Sequence, residues 1–220
     1  NFLTLPGHSD ADGQGFLGLY SPQINAFSSK EREGFKYILV EGENDMLTSQ
    51  EAVLQAGISD IFFLATGGNN ESSDTDTLKD GGIDRVYMLS DHPHPDYGNG
   101  EEWLRPRLAT ATDVEARVFV RWPELCGNNL AIKDPDDVVR NLGFEHFRMA
   151  LDPLSYSSVP QWAADRVEEE VTDIDVSEIR MRMHKAVEFG RCVRNPAELA
   201  AYLDAIEARV ALPAGPLRSE

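Results

Sequence analysis

The stretch "YILVEGENDM", residues 37–46, sets Tyr37, Ile38, Leu39 and Val40 directly against Glu41, Gly42, Glu43 and Asp45. So uniform an apolar run reads as a strand buried on both faces, the kind that parallel sheets carry. Acids that follow such a strand at once stand at its carboxyl end, where open α/β sheets place their ligands. The pattern recurs further on, in "RVYMLSD", which runs apolar and ends on Asp91.

Around these two strands the chain alternates. "DMLTSQEAVLQAG" brings Met46, Leu47, Val53, Leu54 and Ala56 near helical spacing, with Gly57 suited to the left-handed position just past a helix end. "IFFLATGG" predicts a second buried strand, "SSDTDTLKDGG" a short capped helix, and residues 99–111 a further helix. In "VEARVFVRW", Val114, Ala116, Val118, Val120 and Trp122 alternate onto one face, as in a half-buried strand. Four strand–helix alternations predict an α/β fold, a mostly parallel sheet flanked by helices. Residues 1–34 read as an irregular lead-in with a hairpin, and residues 35–150 as the α/β domain. Residues 151–220 read as a helical C-terminal subdomain of three amphipathic helices, with Pro160 and Pro196 at helix starts.

Composition narrows the function classes. A net charge of −18 over 220 residues excludes general affinity for nucleic acid by phosphate neutralisation. It leaves room for a phosphate site in which divalent cations supply the positive charge. Two cysteines, Cys126 and Cys192, are too few for a disulfide framework or a four-sulfur zinc site. No apolar run reaches the roughly 18 residues that span a bilayer, and residues 1–20 lack the pattern of a signal peptide, so a cytoplasmic protein without membrane contact is expected. The start at Asn1 leads us to expect neighbouring segments.

Two strand-terminal acids on adjacent parallel strands repel by about 1 kcal/mol in water and several-fold more where solvent is scarce, so such a cluster is ordinarily kept for a cation. Donors that are all oxygen suit Mg²⁺ or Mn²⁺. Glu41 and Asp91 form the pair, and Asp96 and Asp45 are placed to join it. The plainer reading makes Glu41 and Asp91 solvated loop acids and Asp45 a helix-dipole partner. Asp134 and Asp136, in "KDPDD", read as helix caps. The imidazoles of "HPHP", His92 and His94, have no third nitrogen or sulfur ligand nearby in sequence and read as a stiffened loop. Base is concentrated at Arg105, Arg107, Arg117, Arg121, Lys133 and Arg140, which form either a phosphate-holding rim or a scatter over the surface.

The order "VEGENDM", then a strand and "LSDHPHPDYGNGEEW", resembles the Toprim domain, with a glutamate in an E-G motif after the first strand and an Asp-x-Asp motif after a later one. The likeness to bacterial replicative primases is closer. Glu41, Gly42 and Asp45 match that family's E-G-x-x-D segment, and "ATGG" resembles its next one. Lys133, Asp134, Pro135, Asp136 and Asp137 match its Lys-Asp-Pro-Asp stretch, with Gly143 and Phe147 behind. The helical tail is similar to the helices that close the primase RNA polymerase domain, so the likeness covers about residues 35–211. The second acid of the motif departs from the pattern: Asp96 stands three positions late.

The resemblance implies a nucleotidyl transferase that synthesises RNA primers from NTPs on a single-stranded DNA template. Glu41, Asp91 and Asp96 would be catalytic. Glu41, Asp45, Asp91, Asp96, Asp134 and Asp136 would hold Mg²⁺ or Mn²⁺, and Lys133, Arg105 and Arg107 would contact phosphates. A helicase or zinc-binding domain would come from another chain or segment. The same metal chemistry run with water would give a nuclease, and a third reading is a catalytically weak Toprim binding module of a mobile-element replication protein.

Overall fold

The computed structural model describes residues 34–65, 78, 83–92, 100–111, 114–126, 131–175, 177–210 and 212. The lead-in, the short helix expected in "SSDTDTLKDGG" apart from Leu78, and the loop carrying His94 and Asp96 lie outside the described residues.

Strand β1, Lys36–Val40, is the interior strand that the opening stretch predicts: Ile38, Leu39 and Val40 have no solvent exposure. Helix α1, Glu43–Gln55, follows, with Gly57 beyond its end at φ +76°, the left-handed position expected of it. β2, Ile61–Ala65, pairs parallel with β1. β3, Arg85–Leu89, pairs parallel with the other side of β1. Helix α2, Gly100–Thr110, leads to β4, Glu115–Phe119, parallel to β3. The expected alternation holds through Val118, but β4 ends three residues short of Trp122: Val120 is exposed and Trp122 opens the next helix.

Next come α3, Trp122–Cys126, and α4, Pro135–Asp137, which runs on as a π-helical turn over Val138–Leu142. Helix α5 is Phe144–Leu151. After a 3₁₀ turn, Pro153–Ser155, the short strand β5, Tyr156–Ser158, adds antiparallel to β4. Three helices follow among the described residues: α6, Val159–Val171, α7, Ile179–Gly190, and α8, Pro196–Val210. The sheet order is β2-β1-β3-β4-β5, four parallel strands and one antiparallel edge.

Side-chain alternation divides the strands between two cores. Tyr37, Leu39, Phe62, Leu64, Val86, Met88, Ala116 and Val118 face α2, α6, α7 and α8. Ile38, Val40, Phe63, Leu89 and Phe119 face the opposite core, with α1 through Val53, α3 through Trp122 and α5 through Phe147. This is the period-2 pattern of a sheet covered on both faces. Val159, Trp162, Ala163 and Val167 of α6 belong to the first core, so the packing between residues 151–210 and the sheet is continuous.

The two ends of the sheet are closed differently. At the outer strand, the side chain of Gln50 donates to the Ile61 carbonyl (3.2 Å) and accepts the Phe63 N–H (2.9 Å). At the amino end of β1, Lys36 donates to the Leu151 carbonyl at 2.8 Å and lies 4.2 Å and 4.7 Å from the ring centroids of Tyr87 and Tyr156. Burial pulls the Lys36 ammonium down to about 8, against the opposing charge of Asp152. Among the described residues no helix is long and apolar enough to cross a membrane.

Candidate active site

The chain leaves β1 to one side, towards β2, and returns to its other side as β3, so the strand order reverses between β1 and β3. A crevice opens at such a switch point, outside the carboxyl ends of the two strands. Val40 pairs with Leu89, which puts Glu41 and the Ser90–Asp91 segment at the mouth of that crevice. The two expected acids do come together there, and the Asp91 backbone N–H hydrogen-bonds to the Glu41 carboxylate.

Electrostatics register the crowding. Burial raises the Asp91 carboxyl to about 8, and the charges of Glu41, Asp45 and Asp134 push the same way, against Lys133. Its Oδ1 is buried and has no hydrogen-bond partner among the described residues. A buried carboxylate oxygen left unsatisfied is costly, and such an oxygen fits a cation or a bound proton. Burial also raises Glu41, opposed by the Arg107 guanidinium and the Asp91 N–H. Asp134 is raised, chiefly by burial.

Asp45 is more constrained than its sequence position indicates. It is 7% exposed; Oδ2 accepts the Gly42 N–H at 3.2 Å and Oδ1 accepts the Asp136 N–H at 3.1 Å. It thus joins the turn after β1 to the "KDPDD" loop. Burial, then the charge of Asp134, raises it to about 6 despite those bonds. A Cβ on Gly42 would stand 2.8 Å from Asp45 Oδ2, which explains the glycine of the E-G pair.

The "KDPDD" loop is locked at several points. Asp134 caps α4 by accepting the Asp137 N–H at 2.7 Å, as its sequence position predicts. Asp136 Oδ1 accepts from Thr48 at 2.5 Å and pairs with Arg140 at 2.7 Å. His92 donates its backbone N–H to the Lys133 carbonyl at 2.7 Å, and its ring packs edge-on to Trp122 at 5.4 Å. Between the Gly42–Asp45 turn and the Lys133–Asp137 loop lies a cleft of about 490 Å³. Lys133 stands in it, with Nζ 3.7 Å from Asp134.

The basic residues divide. Arg107 was expected at a phosphate-holding rim but is 2% exposed; it donates to the Trp103 carbonyl at 2.7 Å and its charge acts on Glu41. Arg105 is half-buried and paired with Glu188 at 2.6 Å. Sequence reasoning passed over Gly100: a Cβ there would stand 2.2 Å from the Asp91 carbonyl oxygen, so only glycine lets α2 seat against the acid. The signal was its place as the small residue that opens the helix. Among the described residues no three His, Cys, Asp or Glu side chains lie close enough to grip one ion together. Magnesium does not require that many, since it is commonly held by one or two carboxylates, waters and substrate phosphates.

The raised Asp91 carboxyl has a consequence for stability. Unfolded, it ionises near 4; folded, near 8. The folded chain therefore keeps a proton that the unfolded chain gives up, and stability from this group is full below pH 4 and lost as pH rises through 8. Asp91→Asn, with divalent cations chelated, is expected to melt at the native temperature near pH 4. At pH 9 it should melt higher, by at least about 1 kcal/mol or roughly 2–4 °C for a chain of this size. Melting curves at the two pH values check this; an equal difference at both would place Asp91 in solvent.

No family model and no curated protein matches the sequence. Three solved structures match the fold. A DNA primase domain from Pseudomonas aeruginosa aligns at TM-score 0.61 and 15% identity, over 94% of this chain and 59% of its own. A DnaG catalytic core aligns at TM-score 0.60 and 17% identity, over 94% and 60%. A DnaG primase catalytic domain bound to ssDNA aligns at TM-score 0.58 and 18% identity, over 91% and 57%. The chain thus spans about three fifths of the length of these structures. A five-stranded, mostly parallel sheet with helices on both faces, and an acid after each of two neighbouring strands, together with these alignments give this chain the Toprim-containing fold of DNA primase catalytic cores.

Proposed function

We propose that the chain is a metal-dependent nucleotidyl transferase of the primase kind, joining ribonucleotides from NTPs on single-stranded DNA. One observation carries this reading: Glu41 and Asp91 meet at the switch point of the sheet, where Asp91 holds a buried oxygen with no partner among the described residues. The donor set is all oxygen and crowded with like charge, which fits Mg²⁺ or Mn²⁺. Glu41 and Asp91 would hold the cation, together with Asp96 from the loop outside the described residues, while Asp134 adds its negative charge from the "KDPDD" loop. When bound, the cation neutralises phosphate oxygens and polarises the transferring phosphoryl group.

The chain's own residues do the positioning, which is most of what phosphoryl transfer asks of a protein. β1 and β3 present Glu41 and Asp91 on a rigid mount. Asp45 fixes the distance between that mount and the "KDPDD" loop through its two backbone hydrogen bonds, and Asp136, held by Thr48 and Arg140, supports the loop. Lys133 offers an ammonium in the cleft, placed for a phosphate oxygen of an incoming nucleotide. Arg107 opposes the charge of Glu41 from below.

Incubation with single-stranded DNA, the four NTPs and Mn²⁺ tests the proposal. NTP-dependent ribonucleotide products are expected. Loss of labelled DNA ends without such products would replace the polymerase by a nuclease, and no Mn²⁺ affinity at all would leave a binding module.

A further inference from the structure

A strongly acidic chain that handles a nucleic-acid strand needs a surface where the backbone is not repelled. One stretch has the opposite sign to the rest. Residues 179–194 carry five of the 20 Lys and Arg residues, Arg180, Arg182, Lys185, Arg191 and Arg194, against a single acid, Glu188. Three of the five are used within the fold. Lys185 pairs with Glu170 at 3.1 Å and Glu188 at 3.5 Å, Arg182 donates to the Val210 carbonyl at 3.2 Å, and Arg194 donates to the Ala109 carbonyl at 2.7 Å. Arg180 and Arg191 are exposed, and among the described residues neither has an ion-pair partner.

Those two lie on one face of α7. Eleven residues are close to three helical turns, which sets them on one line about 16 Å apart, with exposed His184 between. Arg191, at the helix end, complements the macrodipole and needs no other explanation. Arg180 stands in the first turn, where a cation opposes the dipole. Glu178, two residues before it, stands at the helix N-cap and among the described residues makes no ion pair with it, while Asp175 accepts the N–H and hydroxyl of Ser177 and acts on Arg182. An unpaired cation kept at an unfavourable helix position points to an anion from outside the chain.

The contacts of α7 also say where this line leads. Glu101 of α2 meets Arg166, Arg166 lies 4.0 Å from Glu170, and Glu170 meets Lys185. Arg105 meets Glu188 and stacks on Phe189, while its carbonyl accepts from Cys192 Sγ at 3.9 Å. Ala109 meets Arg194. Rising numbers on α2 meet rising numbers on α7, so the two helices run parallel. The amino end of α2 is seated on Asp91. Arg180 is five residues before Lys185 and therefore lies about 7 Å further toward the acid end of the molecule. Ile179 and Met181, 50% and 54% exposed, flank it with apolar surface that the face of a base can cover.

We infer that the Arg180–His184–Arg191 face of α7 is a rail for the phosphate backbone of a single nucleic-acid strand on its way to or from the acid cluster. The inference rests on the reading of that cluster as a strand-handling site. It is tested with a fluorescein-labelled oligothymidylate, by anisotropy over a series of salt concentrations. The proteins compared are the native chain, R180Q/R191Q, and the charge-matched control R85Q/R148Q, whose arginines are exposed and whose Arg85 lies at the opposite end of the sheet. R180Q/R191Q is expected to bind at least about fivefold more weakly, with a salt slope shallower by about 1.4, two contacts at roughly 0.7 each. The control should bind as the native chain does. The melting temperature of R180Q/R191Q should stay near the native one, since an unfavourable first-turn cation and a favourable one at the helix end are removed together.

Equal affinity of the three proteins overturns the rail. So does poly-glutamate that competes with the oligonucleotide at equal concentration, which would make this face a dock for an acidic protein. Primer synthesis is read on the same preparations. A native chain that binds through α7 but makes no product rejects the polymerase and keeps the rail; one that makes product while R180Q/R191Q binds normally does the reverse.

Discussion

Glu41→Gln and Asp91→Asn are each expected to lower NTP-dependent primer synthesis in Mn²⁺ by on the order of 100- to 1,000-fold, with the fold intact by circular dichroism. Both substitutions keep shape and remove charge, so the loss measures electrostatic stabilisation rather than packing. Glu41 is tied to the backbone of Asp91, and both stand where β1 and β3 end side by side. On the proposed reading each acts on the same phosphate, and the double variant is expected to lose little more than either single one, because groups that act as a unit are not additive. Synthesis rates under excess template and NTP, with Mn²⁺ binding followed separately, check this. Native rates in either variant would remove that residue from the chemistry.

Gly100→Ala is expected to be nearly as severe by a different route. The added methyl would stand 2.2 Å from the Asp91 carbonyl oxygen and 3.1 Å from its carbon, both backbone atoms. Neither can move aside as a side-chain tip would, so α2 must back away from β3. Overpacking of this kind costs about 1–3 kcal/mol, or a drop of several degrees in melting temperature at this size. The activity loss should exceed what instability explains, since a displacement of about 1 Å at reacting groups commonly costs on the order of 100-fold. Synthesis assayed well below the melting temperature separates the two effects. A variant that melts lower but works normally would show that the helix does not position Asp91.

Much of this was legible in the sequence because each element signals itself locally. Tyr37–Val40 is too uniformly apolar to be anything but interior, Gly57 marks a helix end, and Pro196 opens α8 where the sequence places it. The acids could be placed since strand ends are fixed once strands are. Other features depend on partners remote in sequence. β5 has only three residues, Tyr156, Ser157 and Ser158, too few to display a period, and exists because β4 offers an edge. Arg107 reads as surface base, and only the packing of α2 shows that it turns inward. Asp45 reads as a helix-dipole acid or a ligand, while its second hydrogen bond comes from a loop ninety-one residues away. The charge of α7 is hidden in the sequence by a regular amphipathic pattern, in which basic residues at helical spacing read as an ordinary solvated face. Asp96 lies outside the described residues, so its part in the site stays a proposal.

Gln50 has a consequence beyond local order. Its amide occupies outward-facing hydrogen-bonding groups of Ile61 and Phe63 on the outermost parallel strand, doing for them what a further strand would do. A second molecule approaching in extended form finds that stretch already satisfied and would first have to evict a side chain anchored in α1. Self-templated growth into fibrous aggregates is thereby hindered along an otherwise wholly apolar margin, through a single residue that touches neither acid nor arginine.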